Sequence, residues 1–546
     1  MFSKQQAVKR STFLQSSNIY FRLLLFERSN GVKMALFMTF LLISCLAFGF
    51  TALGILYLRW YFNYWQKRGV PGPRPQLLVG NFPKTTMGQC NMLEELHEIY
   101  LEYKTKHKFA GVFAARTPKL LICDPQLALQ ILTQNFKNFH DNESSQWSSA
   151  RVEQMRFCSP FVSIGEDWKA RRSELVPALT VNKIRSFYTA MRDSAQKACD
   201  FLTAVGQQPL DGKELANRFT AQFMSNFIWG IEGNAFTVPQ KAAATATLSP
   251  VHRMARDMIL QSADCVRYYS STAAWPWLRL LRPVRFFPIT ADRFFQQLLT
   301  DALNVRAQQT AEGGSMRGDM IDHLQQLREK KALNGVQIAG HTTTVLIDGY
   351  ETGAILIAHC LLLLARNPRV QQKLREELLA TDIADSLDAL NELPYLEQCL
   401  QETLRIFPPL PTLFKICTEP STLTKSNGST LTLQPGDGIY ISTYSFHRDP
   451  DYFENPEEFW PERFAEELGG VRKYRDMGVF MPFGDGPRMC PGMKLGLSEA
   501  KVAVSELTRN FEISVGANTR NDNKIANDSF LLMIDGDIEL EFKRIH

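Results

Sequence analysis

Hydrophobic and polar positions divide the chain into two regimes. From Met34 to Leu58, 25 residues pass without a charged side chain (MALFMTFLLISCLAFGFTALGILYL). Coiled as a helix at about 1.5 Å per residue, this run spans roughly 37 Å, more than the ~30 Å hydrocarbon core of a bilayer. Arg59, Trp60, Tyr61, Tyr64, Trp65, Lys67 and Arg68 follow it as an aromatic and basic interface belt. A cleaved signal peptide is the alternative; it is disfavoured because the run is long and no small-residue cleavage site precedes the belt. The prolines of Val70-Pro71-Gly72-Pro73-Arg74-Pro75 fix φ and block helix continuation, which predicts a stiff extended hinge.

Beyond the hinge, apolar residues recur mainly at helical spacing. Long helices are expected over Gln337–Ala365 and Asn391–Ile406. Phe109–Phe113 and Leu120–Cys123, joined through Arg116-Thr117-Pro118-Lys119, read as a hairpin. Leu431–Leu433 and Ile439–Ser442 read as a second strand pair around Gln434-Pro435-Gly436-Asp437. Phe530–Ile534 and Ile538–Phe542 read as a third around Asp535-Gly536-Asp537. The expected fold class is mostly α with minor β. The expected organisation is a basic extension (1–33), a transmembrane anchor (34–58), the belt and hinge (59–75) and one globular domain (76–546).

Composition narrows the function classes. Hydrophobic residues make up 45% and charged residues 21% of 546, which excludes a disordered chain. A net charge of +5 is too mild for a nucleic-acid protein. Ten cysteines are scattered from Cys45 to Cys490 without a C-x-x-C pair, which excludes a disulfide scaffold and a zinc ribbon. Lys4, Lys9, Arg10, Arg22, Arg28 and Lys33 stand against Glu27 alone before the anchor. That bias imitates a mitochondrial presequence; translation from Met34 would remove it and leave a clean positive-inside asymmetry with a cytosolic body.

Candidate chemistry concentrates at Phe483-Gly484-Asp485-Gly486-Pro487-Arg488-Met489-Cys490-Pro491-Gly492. Two glycines and a proline ahead of a cysteine make a tight turn whose backbone N–H groups point at the sulfur. From Met493 the pattern turns helical, with Pro491 at the entry, and a helix N-terminus favours a thiolate. An anionic sulfur held this way suits an iron ligand.

Here the sequence resembles the cytochrome P-450 family, whose haem loop reads F-x-x-G-x-R-x-C; Phe483, Gly486, Arg488 and Cys490 match every fixed position. Glu402-Thr403-Leu404-Arg405 matches the family's E-x-x-R helix and Pro461-Glu462-Arg463-Phe464 its P-E-R-F segment, in the family's order. A lone E-x-x-R arises by chance about once or twice in such a composition, so the order carries the weight. The resemblance implies a structural triad of Glu402, Arg405 and Arg463, tolerable inside only when every member is paired. Trp168-Lys169-Ala170-Arg171-Arg172 matches W-x-x-x-R, an i, i+4 pair whose indole N–H and guanidinium reach haem propionates together. Arg488 is implied as a further propionate partner. Lys415 stands where relatives usually carry Arg, keeping the charge and losing the bidentate fork.

Asp348-Gly349-Tyr350-Glu351-Thr352 matches the family's oxygen-activating helix, Ala/Gly-Gly-x-Asp/Glu-Thr, with Glu351 and Thr352 implied as the proton-handling pair. Gly349 is expected to let the helix open. Asp348 departs from the pattern, and Gly353 stands where Ser or Thr is common. Asp348 either holds a cationic or hydroxylated substrate or turns toward an internal water channel. By position in the family, Ala150–Ile164, Leu410–Leu413 and Asn527–Met533 line the cavity, Leu413 among them. Trp275–Phe287 (WPWLRLLRPVRFF) reads either as a membrane-dipping lip or as core packing.

The resemblance covers about residues 71–546. It implies a single haem domain of the cytochrome P-450 fold behind the anchor, closest to microsomal members and particularly insect ones. It implies haem b ligated by Cys490, O2 as co-substrate, and insertion of one oxygen atom into an apolar small molecule (xenobiotic, steroid-, terpenoid- or fatty-acid-like). No G-x-G-x-x-G marks a fused nicotinamide or flavin domain. Electrons from NADPH would therefore arrive through NADPH-cytochrome P-450 reductase, with cytochrome b5 as a further donor, at the endoplasmic reticulum membrane with the domain in the cytosol. The mitochondrial inner membrane, with a ferredoxin donor, is the second reading. Lys169, Arg171 and Lys494 are expected on the face that meets acidic partners. The rival functions are a haem-thiolate isomerase or dehydratase, a haem-binding sensor, and a cysteine hydrolase pairing Cys490 with His447.

Overall fold

The computed structural model describes residues 33–34, 36–57, 59–237, 248–272, 278–281, 283–313, 317–382, 386–527 and 529–545. It divides into two compact units between Tyr64 and Trp65. The described residues 36–57 of the N-terminal unit are helical and lie in the stretch Leu36–Lys67, which is long and apolar enough to cross a membrane. Phe37, Phe40, Leu46, Phe48 and Phe50 all stand exposed on it. Apolar side chains exposed around a helix are what a lipid environment requires.

The second unit is mostly helical. Five helices position the candidate site: α1 (Gly165–Leu175), α2 (Gly212–Trp229), α3 (Gly335–Arg366), α4 (Pro394–Ile406) and α5 (Met493–Asn510). α3 is the core element, its side chains buried on nearly every face from Ile338 to Ala365. A helix apolar all round belongs inside a large domain, so its membrane-like hydropathy has a second outlet in packing. Its start is set by a capping box: the Asn334 side chain accepts from Gln337 N–H at 2.9 Å, and Gln337 Oε1 accepts from Asn334 N–H at 2.9 Å. α4 begins three residues later than expected because Pro394 takes the first turn, while Asn391 ends the short helix before it.

The strands are β1 (Phe109–Ala114), β2 (Thr117–Ile122), β3 (Asp141–Asn142), β4 (Leu210–Asp211), β5 (Thr412–Ile416), β6 (Ser421–Thr424), β7 (Thr430–Leu433), β8 (Gly438–Ser442), β9 (Phe511–Val515) and β10 (Glu539–Arg544). The first hairpin forms as expected, in the register Phe109↔Ile122 to Ala114↔Thr117. The main sheet runs β1-β2-β8-β5-β3. The other two expected pairs do not form. β7 pairs with β6, whereas β8 pairs with β2 and β5. The reason lies in burial: β8 is buried at all five positions and takes an interior place, while β7 alternates exposed and buried as a surface ribbon does. At the C-terminus β10 pairs with β9 and β4. Leu532 N–H bonds Pro409 O at 3.0 Å, drawing residues 530–534 into the body and away from β10.

Candidate active site

The cysteine loop is built on close backbone contacts. Gly484 and Gly486 adopt φ of 71° and 69°, and a Cβ on Gly486 would stand 2.0 Å from Leu132 O, so only glycine fits there. Asp485 accepts from Gly486 N–H at 2.6 Å, and Cys490 N–H donates to Phe483 O at 2.9 Å. The backbone N–H groups of Gly492 and Met493, at the mouth of α5, face the Cys490 sulfur. Burial pushes the thiol up to about 11; those two N–H groups and Arg172 pull it down, and Asp348 opposes them.

Cys490 and Asp348 are hemmed in by protein, yet both side chains are solvent-accessible. They therefore face an internal cleft between the loop and the middle of α3. Thr352 lies one turn beyond Asp348, half-buried, and its hydroxyl donates to the Asp348 carbonyl. Leu413 of β5 overlies the loop, 4.0 Å from where a Cβ on Gly484 would stand. Glu351 is not part of this group: it is buried and paired with Lys213 of α2 at 2.8 Å. Gly349 faces α2. A Cβ there would meet Met224 Cε of α2, the end of a flexible side chain, at 2.7 Å, and α3 is helical at this position.

Beside the loop lies a cradle of donors. The Arg488 guanidinium stacks 4.5 Å from the Trp168 ring centroid and donates to Pro160 O, Ser163 O and Asp141 Oδ1 at 2.7, 3.0 and 3.1 Å. Its Nε and the Trp168 indole N–H are buried without partners among the described residues. Arg172, one helical turn beyond Trp168, makes no side-chain hydrogen bond or ion pair among them; burial lowers its pKa and Cys490 raises it. Lys415 donates to Asn142 Oδ1 at 2.9 Å, and burial, helped by Arg488, depresses it to about 7. Orphaned buried donors call for an acceptor. Two arginines, a lysine and an indole N–H beside an accessible cysteine fit a flat ligand with carboxylate arms, as haem is.

Glu402, Arg405 and Arg463 meet in the core. Glu402 accepts from Arg405 Nε and Nη2 at 2.8 Å each, from Arg463 Nε at 3.0 Å and from Trp460 N–H at 3.1 Å. Arg405 also donates to His447 O at 2.8 Å, and His447 Nε2 accepts from Met481 N–H at 3.2 Å, two residues before the loop. That bond commits His447 to the backbone and removes it as a partner for Cys490.

The cavity segments come together only in part. The turn Arg156–Cys158 packs on α3 at Gly340, and the loop after Asn527 reaches Pro409; residue 528 lies outside the described residues. Of the lip, 275–277 and 282 lie outside them too. Its described aromatics turn inward: Phe286 stacks on Trp147 at 6.1 Å, and the Arg156 guanidinium lies 4.2 Å from the Phe286 ring. Arg279 lies over the Tyr269 ring at 3.7 Å, while Leu281 is exposed. Arg171 is not a surface cation, since it pairs with buried Glu174 at 2.8 Å; Lys169 and Lys494 are exposed. The sequence reading missed Asp141, Arg156, Lys213 and Glu499, which carry no local motif.

The family profile described as "Cytochrome P450" matches residues 70–542. Curated relatives include three Drosophila melanogaster proteins. The chain is similar to probable cytochrome P-450 28d1 (36% identical, covering 90% of this chain and 96% of that one), 28d2 (35%, 89% and 95%) and 28a5 (34%, 90% and 97%).

Proposed function

The chain belongs to the cytochrome P-450 family, a haem-thiolate monooxygenase by its relatives, and from that premise we propose a membrane-anchored enzyme that oxidises apolar small molecules with electrons from NADPH-cytochrome P-450 reductase. The observation that carries this reading is the accessible Cys490 sulfur, held by the Gly492 and Met493 N–H groups across an internal cleft from Asp348 and Thr352.

Haem, when bound, supplies the activation of O2 and the transfer of one oxygen atom. The chain's residues do the rest. Cys490 provides the sulfur ligand, whose anionic form the two N–H groups favour, and the Phe483 carbonyl holds the Cys490 N–H. Trp168, Arg172, Lys415 and Arg488 hold the carboxylate arms, an assignment supported by the two orphaned donors among them. Leu413 contributes an apolar wall beside the loop. The Thr352 hydroxyl can turn from the Asp348 carbonyl to hold a proton donor in the cleft. Glu351 reaches that path only by leaving Lys213. Glu402, Arg405 and Arg463 act structurally: through His447 they fix the segment entering the loop.

The apolar span Leu36–Lys67 supports membrane anchoring. We place the enzyme at the endoplasmic reticulum with the haem domain in the cytosol and cytochrome b5 as an accessory donor; a mitochondrial location with a ferredoxin is the second reading. The test is the ferrous-CO difference spectrum of the expressed protein beside Cys490→Ser, then reductase-driven NADPH oxidation. A strongly red-shifted Soret band present in the parent and absent in the variant is expected. Haem binding without that band overturns the ligand assignment.

A further inference from the structure

Asp348 carries a carboxyl that the oxygen chemistry does not use. It faces the cleft one turn before Thr352, and among the described residues no group hydrogen-bonds or ion-pairs with its carboxyl. Facing the cleft with no protein donor among the described residues, the carboxyl meets only solvent, and a ligand that brings a donor replaces that water. Burial raises its pKa to about 7, opposed by Arg156.

The charged and titratable groups around it are few. From the opposite wall comes Cys490. From the turn Arg156–Cys158 comes the Arg156 guanidinium, which is already engaged: it donates to Ser148 Oγ at 2.8 Å and Ser144 O at 3.1 Å and stacks on Phe286. Arg156 therefore biases Asp348 toward its ionised form without neutralising it by contact. Beyond Arg156 the surroundings are aromatic: Trp147 packs on Phe286 and meets Phe414 and Phe530 edge-on at 6.3 and 5.1 Å.

We propose that Asp348 is a substrate-recognition residue that binds a hydrogen-bond donor, an ammonium or a hydroxyl, on an otherwise apolar molecule. This rests on the monooxygenase reading, because the occupant of the cleft is then the substrate. The carboxylate anchors the donor near the middle of α3, and the apolar remainder packs on Leu413 and the aromatic cluster.

The test uses the full-length holoprotein and the Soret spin-state shift on ligand binding. The probes share one skeleton: butylbenzene, phenylbutanol and the hindered tertiary amine N,N-diisopropyl-phenylbutylamine, whose nitrogen is too crowded to ligate iron. The parent should bind the alcohol and the amine about tenfold or more tighter than butylbenzene, as expected for a hydrogen bond to a charged group. Asp348→Asn, nearly isosteric, should lose the preference for the amine and retain that for the alcohol. Asp348→Ala should lose both, each preference being read against butylbenzene in the same variant. Selective loss for one probe identifies the donor as ammonium or hydroxyl. Equal affinity of the parent for all three probes, or preferences unchanged in both variants, overturns the proposal and leaves Asp348 facing only water. The CO band is read on every sample: its absence from the parent defeats the haem-thiolate reading, whereas a normal band with unaltered preferences defeats only the role of Asp348.

Discussion

The carboxyl of Glu499 fills the space that a side chain at position 353 would need. A Cβ built on Gly353 would stand 2.1 Å from Glu499 Oε1 and 3.3 Å from the Thr220 methyl. Here α2, α3 and α5 meet, and the departure of Gly353 from the family pattern has its steric reason. Gly353→Ala should destabilise the fold by about 1–3 kcal/mol through overpacking. In the Glu499→Ala background the same change should cost much less, and a double-mutant cycle on thermal unfolding would read that coupling. Additive effects would refute the contact.

Glu499 is fully buried and neither oxygen finds a partner among the described residues. Burial raises its pKa well above the ordinary 4.5, so the folded state keeps a proton that the unfolded chain releases above that value. Folding stability from this group is then full below about pH 4.5 and declines by about 1.4 kcal/mol per pH unit until the folded group itself ionises. Glu499→Gln removes the decline. The variant should match the parent near pH 4.5 and exceed it increasingly toward neutral pH, as thermal unfolding across pH would show.

Glu402 holds two buried guanidinium groups at once. Glu402→Ala leaves Arg405 and Arg463 without their counter-ion and should cost about 3–5 kcal/mol, with loss of the haem-loaded fraction on expression. Glu402→Gln keeps acceptor geometry for one arginine and should be milder. Equal haem content in parent and alanine variant would contradict the link through His447 and Met481.

The Trp168 indole N–H has no partner among the described residues, while its ring stacks on Arg488. Trp168→Phe should therefore spare folding yet weaken haem retention by about tenfold, the scale of one hydrogen bond to a charged acceptor. Trp168→Ala should lose more, because the stacking that orients Arg488 goes too. Haem transfer to apomyoglobin measures both; retention unchanged in Trp168→Phe would rule out the indole as a carboxylate donor.

The features legible in the amino-acid order are those that depend on near neighbours. The apolar N-terminal helix follows from a charge-free run, α3 from helical periodicity, and the sharp turn before Cys490 from glycines at 484 and 486 with a proline after each of Gly486 and Cys490. Each is decided within a few residues, where spacing and backbone freedom suffice. Only the tertiary structure decided the rest. It placed β7 and β8 in different sheets, paired Glu351 with Lys213, and set Glu499 against Gly353. In each case the partner lies in a different segment, and whether a residue meets a chain, a charge or a cavity is settled by which surfaces pack together. Asp348 shows both sides: its departure from the family pattern is visible in the sequence, but that its carboxyl faces the cleft without a partner among the described residues follows only from how α3 is buried.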